Sequence, residues 1–326
     1  MAGWLDVHSH YLTERYGAAC RAAGHGQPDG MPGMPGWSVD AALEVMAATG
    51  VGAAVLSISS PGVHFGDNST GQDDAARDLA AHVNDAGAQI VANQPAHFGL
   101  SAVLPLPDVD GALLEVTRAY DELGADAVAL KTNCRGRYLS DPEFDPVLAE
   151  LNARSAVVTL HPTSPPCWEV VSQGRPRPMI EFLFDTTRCV VDLALSGVLA
   201  RYAAIRWIVP HAGAVLPTVA HRVAALAAVT GAPADLPAML AGLYYDLAGV
   251  PLPVALDALL TIVRPERLLY GSDFPFTPAA MVTDLAAALA QAPALAEVPL
   301  ALTPDSSGAA LFPRLYAERE NRSSSE

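Results

Sequence analysis

The chain has 326 residues, 51% of them hydrophobic and 17% charged, and a formal net charge of −16. This composition excludes a disordered chain and the basic surface that nucleic acid requires. It also repels an anionic ligand at long range unless local positive charge gathers it. No uncharged apolar stretch reaches the length of a membrane span, and the N-terminus lacks a basic segment followed by an apolar core; a cytoplasmic location without membrane or nucleic-acid partners is expected.

The first expected strand, 4–10, begins with the apolar run Trp4-Leu5-Asp6-Val7 and ends in His8-Ser9-His10. Strand alternation puts residues i and i+2 on one face, so two imidazoles leave the strand end side by side. That is the geometry a divalent metal needs from two ligands, although a surface strand can also carry such a pair by chance. Further strands are expected at 52–59, 98–106, 127–133, 156–162, 205–212, 243–248 and 268–273. Three of them repeat the pattern of an apolar run ending in a ligand-type residue: Val157 to Leu160 runs into His161-Pro162, Ile205 to Pro210 into His211-Ala212-Gly213, and Leu268 to Tyr270 into Gly271-Ser272-Asp273. Core packing alone gives no reason for this recurrence.

Amphipathic stretches lie between the strands, near 39–49, 72–91, 109–123, 143–154, 181–201, 214–228, 253–262 and 280–291. Ser38 is the expected N-cap of the first and Gly50 its stop. Eight such βα units imply a parallel sheet closed into a (β/α)8 TIM barrel, an α/β fold whose chemistry sits on the carboxyl-end loops. His8, His10, His161, His211 and Asp273 all fall there. One barrel domain over 1–317 and a polar tail over 318–326 are expected. Long loops at 24–37 and 162–180 leave the same face and are candidate substrate walls. His25 and His64 lie in loops expected to face the site, and Lys131, ending the fourth strand, is expected to point into the barrel mouth and bind an anion. Asp185 and Arg188, three apart, are read as a local ion pair. Cys20, Cys134, Cys167 and Cys189 form no Cys-x-x-Cys pair and are read as reduced thiols.

The ordered set His8-Ser9-His10, His161-Pro162, His211-Ala212-Gly213 and Gly271-Ser272-Asp273-Phe274-Pro275 resembles the amidohydrolase-related metal enzymes. It is closest to the branch of non-oxidative decarboxylases that includes aminocarboxymuconate-semialdehyde decarboxylase and the hydroxybenzoate decarboxylases. Pro35-Gly36-Trp37, the segments Leu56 to Val63 and Leu104 to Asp108, and Glu181 to Arg188 are similar to the 6-methylsalicylate decarboxylase-like subgroup. The resemblance runs from residue 4 to about residue 313. It implies one divalent ion, Zn2+ or Mn2+, held by His8, His10, His161 and Asp273, with His211 beside it in proton transfer. It also implies that Arg222, eleven residues after His211, reaches the carboxylate of a substrate in a neighbouring subunit, and hence a homodimer or larger homo-oligomer. The chain departs from its relatives in having no arginine between Arg21 and Arg77, in Lys131, and in Ala214 after the His-Ala-Gly motif.

The implied activity is metal-dependent decarboxylation of a hydroxylated aromatic, 6-methylsalicylate-like carboxylic acid. Asp273 or His211 would deliver the proton to the ring carbon. The alternatives are metal-dependent hydrolysis of an amide, ester or lactone, and a non-catalytic ligand-binding barrel. Release of carbon dioxide against release of an acid product separates them.

Overall fold

The apolar runs form strands in a computed structural model, which describes residues 3–66, 70–231, 235–296, 298 and 300–323. The principal strands are β1 (Trp4–His10), β2 (Val51–Ser57), β3 (Phe98–Val103), β4 (Ala127–Lys131), β5 (Val157–His161), β6 (Arg206–Val209), β7 (Tyr244–Asp246) and β8 (Leu268–Leu269). They pair in parallel in sequence order. Parallel bridges from Asp6 to Tyr270 and from Ser9 to Phe274 bring the end of β8 back beside β1. The sheet is thus a nearly closed (β/α)8 barrel, as the alternating pattern implies. The last two strands are shorter than their apolar runs. Leu247, Ala248 and Tyr270 are buried, but they lie beyond the last ladder pairs, Tyr245 with Leu268 and Asp246 with Leu269.

Outside the strands lie α1 (Glu14–Ala22), α2 (Val39–Thr49), α3 (Thr70–Asn93), α4 (Val109–Asp121), α5 (Asp145–Ala153), α6 (Glu181–Leu195), α7 (Leu216–Thr230), α8 (Ala255–Leu259), α9 (Ala279–Ala290) and α10 (Pro313–Ser323). Ser38 caps α2, its Oγ accepting from Ala41 N at 3.2 Å, and Gly50 ends it in the left-handed region at φ 72°. The stretch expected as one helix over 181–201 is two, because Gly197 at φ 81° breaks it before Val198–Arg201. Residues 318–323, read as part of a polar tail, continue α10; residues 324–326 lie outside the described residues. Arg314 of α10 meets Asp126 at 2.6 Å. All four cysteines are free thiols. Among the described residues no helix is long and apolar enough to cross a membrane.

Two layers of apolar side chains fix where the site sits. Leu5, Val7, Val55, Val157, Ile208 and Leu269 form an inner cluster, joined by Leu311, Phe312 and Leu315 from the C-terminal helices. Leu56, Leu100, Leu130, Val158 and Val209 belong to the larger cluster shared with the surrounding helices. Burying each such side chain is worth roughly 1.5–3 kcal/mol, so the filled interior holds the strand ends above it rigidly. One irregularity matters. Asp6 and Ser9 of β1 pair with Ala54 and Leu56 of β2, so three steps oppose two. This bulge shifts the alternation, leaving Leu5 and Val7 in the inner cluster and His8 and His10 in the polar group at the strand ends.

Candidate metal centre

His8 and His10 leave β1, His161 leaves β5, and Asp273 follows β8. Each offers one ligand atom, and these atoms all lie within 4.8 Å of one another. The imidazoles crowd without stacking: His8 lies 5.1 Å from His10 and 5.2 Å from His161, and His10 lies 4.9 Å from His161, between ring centroids.

Neighbours orient each ring. His8 Nδ1 lies 2.9 Å from Asp246 Oδ2, and His161 Nδ1 lies 2.6 Å from the Pro162 carbonyl. His10 Nδ1 lies 3.0 Å from Ser57 Oγ. Where Nδ1–H donates to these acceptors, Nε2 presents its lone pair to an ion, that of His161 lying 3.2 Å from Ser59 Oγ. Asp6 shapes the strand end, its Oδ1 accepting from the backbone N–H of His8 and of Ser272, each at 3.1 Å. Asp273 holds a left-handed backbone at φ 56°, stabilised by its N–H donating to His8 O and its carbonyl accepting from Thr277 N, both at 2.8 Å. That turn brings its carboxylate to 3.1 Å from His10 Nε2.

The electrostatics fit a cation. His8 Nε2 is buried and has no hydrogen-bond partner among the described residues; it lies 3.5 Å from Asp273 Oδ1. Burial alone pushes His8 down, yet Asp246 and Asp273 outweigh it and lift its pKa to about 10. The space between those two carboxylates therefore favours positive charge. Burial lowers His10 to about 4, and burial with Lys131 holds His161 well below the usual range, so both stay neutral. Burial pushes the Asp273 carboxyl up, but contacts with His10 and His8 hold it well below the usual carboxylate range. Three imidazoles and one carboxylate suit a single divalent ion of the zinc or manganese type.

A cavity of about 720 Å³ rises from this group. His161, His211 and Asp273 line its polar end, and Met31, Phe182, Leu183, Val250, Phe276 and Met281 are among its apolar walls. His211 follows β6, with its ring centroid 5.1 Å from that of His8. Its Nδ1 is buried and has no hydrogen-bond partner among the described residues, and burial together with His8 lowers its pKa. Both long loops contribute, through Met31 and Pro32 on one side and Pro176, Pro178 and Met179 on the other.

A profile of the amidohydrolase family matches residues 5–306. The chain belongs to that family. It is 35% identical over 290 residues to a 6-methylsalicylic acid decarboxylase of Aspergillus aculeatus, which covers 84% of each chain. It is 32% identical to a solved amidohydrolase II, with a TM-score of 0.84 over 99% of this chain and 100% of that one. A dihydroxybenzoic acid decarboxylase from Polaromonas, solved with manganese and the inhibitor 2-nitroresorcinol, shares the fold: TM-score 0.73, 23% identity, 87% of this chain and 90% of that one.

Four residues singled out in the sequence lie elsewhere. Lys131, His25 and His64 line a neighbouring cavity and not the metal cavity. The reason is the turn Pro28–Gly30, which follows α1 and is tied by Asp29 to the opposite long loop: Ser164 Oγ donates to Asp29 Oδ1 at 2.5 Å, and Arg177 Nε to Ser164 Oγ at 3.0 Å. Asp29 lines both cavities. Arg222 is exposed on α7 and does not line the metal cavity of its own chain. Asp185 and Arg188 do meet, at 3.5 Å, but the buried Asp185 carboxylate also accepts from Asn133 Nδ2 at 2.9 Å and Tyr138 OH at 2.6 Å. It thereby anchors the loop after β4.

Asp246 is the residue that sequence reasoning passed over. Its Oδ2 faces His8, while its Oδ1 accepts from the backbone N–H of His211 at 2.9 Å and of Ala248 at 3.0 Å. The signal was present: Tyr244-Tyr245-Asp246 is another strand that delivers a carboxylate at its end.

Proposed function

We propose that this protein is a metal-dependent, non-oxidative decarboxylase of a hydroxylated aromatic carboxylic acid of the 6-methylsalicylate type. The carrying observation is the His8, His10, His161 and Asp273 group at the polar end of a largely apolar cavity. The relative from Aspergillus aculeatus, a 6-methylsalicylic acid decarboxylase, supports this chemistry over hydrolysis.

His8, His10, His161 and Asp273 would hold one zinc or manganese ion, and manganese is the ion in the Polaromonas enzyme. When bound, such an ion supplies Lewis-acid charge stabilisation for a carboxylate and an adjacent hydroxyl. The apolar walls bind the ring and exclude water. His211, or Asp273 once it has taken up a proton, gives a proton to the ring carbon that bears the carboxylate. The bond to the carboxyl carbon then breaks, its electron pair restores the aromatic ring, and carbon dioxide leaves. Among the described residues, no lysine or arginine lines the metal cavity. Arg222, exposed on α7, is therefore assigned to the cavity of a second copy in a homodimer or larger assembly. The same reading takes the barrel as one domain and the cytoplasm as its compartment.

The test is turnover of 6-methylsalicylate in D2O. We expect carbon dioxide and 3-methylphenol carrying one deuterium at the former carboxyl position, and about one zinc or manganese per chain by elemental analysis. Acid release from esters or lactones, with no carbon dioxide from any hydroxybenzoate, would overturn the proposal.

A further inference from the structure

A second cavity, of about 590 Å³, opens beside the metal cavity. It is large enough for a single-ring ligand, and none of the four clustered metal-ligand candidates lines it. Val63, Val103, Leu104 and Leu106 supply apolar lining, and Lys131 stands at the end of β4 among them.

Lys131 is the only lysine of the chain, and it is 8% exposed. Its stem passes Gly62, and its Nζ donates to Ile58 O at 2.6 Å. An ammonium has three N–H groups, and among the described residues this bond is the one it makes. Burial lowers its pKa to about 7, a sign of how weakly its charge is compensated. Two arginines share the lining. Arg135 donates to Phe65 O at 3.2 Å, and Arg177 donates to Ser164 Oγ and lies over the Trp168 ring at 4.0 Å. None of the three cations forms an ion pair among the described residues, although the chain carries 35 acidic residues against 19 basic ones.

The lining also contains two carboxylates, Asp29 and Glu169. Asp29 accepts from Ser164, and although it attracts Lys131 and Arg177 it forms no direct ion pair with either, nor does Glu169 with Arg177. A further group is His64: its Nε2 meets Asp73 at 2.8 Å, while its Nδ1 is buried and has no partner among the described residues. Unpaired cations in a strongly acidic chain, gathered around an apolar hollow, describe a receptor for an anion with an apolar body.

We propose that this second cavity binds an aromatic carboxylate, with Lys131 and Arg135 on the carboxylate and the ring against Val63, Val103, Leu104 and Leu106. The site is separate from the metal centre and does not depend on the decarboxylase assignment.

The experiment is calorimetric titration of the metal-loaded protein with benzoate. Wild type should show one benzoate more per chain than Lys131→Met, whose unbranched side chain keeps the packing of the stem. Unchanged metal content in that variant will establish that the barrel is intact. Arg135→Gln, at an exposed position, should weaken the same event roughly tenfold, the equivalent of one lost charge-assisted contact. Identical stoichiometry and affinity in all three proteins would overturn the proposal, as would no benzoate binding to wild type. A protein that fails to decarboxylate any acid yet loses one benzoate on Lys131→Met would refute the activity and keep this site.

Discussion

Replacing Asp246 by asparagine tests how the metal centre is held. Asp246 Oδ2 takes the Nδ1 proton of His8 across 2.9 Å, while Oδ1 accepts from His211 N and Ala248 N. An asparagine can keep its oxygen on the two backbone donors and so preserve the turn. Its amide nitrogen then faces His8, and a donor there forces the ring into the tautomer with the proton on Nε2. A protonated Nε2 cannot ligate. Loss of such an orienting partner typically lowers metal affinity by roughly 10–100-fold, or about 1.4–2.7 kcal/mol. Alanine is the control: it also strands two N–H groups, at about 1–3 kcal/mol for each one left buried and unpaired. Competition with a chelator reads the affinity, and thermal melts with and without the chelator read the fold. Asp246→Asn should bind metal weakly and melt like wild type once both are stripped of metal, whereas Asp246→Ala should melt lower even when stripped. Wild-type affinity in Asp246→Asn would refute the reasoning.

Other outcomes follow from the same geometry. His211→Ala should keep its metal and lose roughly 10²–10⁴-fold in turnover, and loss of metal instead would make His211 a ligand. Arg222→Ala should raise KM for an acid substrate at unchanged metal content. Mixing it with inactive Asp273→Asn should restore part of the activity through hybrid sites; no recovery, with unaltered kinetics in Arg222→Ala alone, would remove Arg222 from the site. Acid stability should depend on Asp108, which the Arg77 side chain, at 2.5 Å, holds below its usual pKa against the effect of burial. A depressed carboxylate stabilises the fold above its unfolded pKa of about 3.8, and the contribution is lost as pH falls through the lower folded value. Asp108→Asn, which can still cap α4, should therefore lose less stability than wild type between pH 5 and 3 in urea titrations, and parallel losses would contradict this.

What was legible in the sequence was local. Apolar runs ending in His8-Ser9-His10, His161, His211 and Asp273 mark strand ends, because the two-residue period and the burial of a parallel sheet are imposed on each strand separately. The cap at Ser38 and the stop at Gly50 are equally local. Contacts between distant segments were not legible. Alternation put His8 and His10 on one face, but the bulge against β2 decided which face, and register is a property of two strands. Asp246 ends its strand as Asp273 does, yet its role exists only because the barrel closes and brings it to a histidine 238 residues away in the chain. Lys131, His25 and His64 are expected at the substrate site because they leave the same end of the barrel. Asp29, tied to Ser164 across 135 residues, lines both cavities at that end. Long-range contacts of this kind leave no periodic trace in composition or spacing, so the tertiary structure alone decided which cavity each side chain lines.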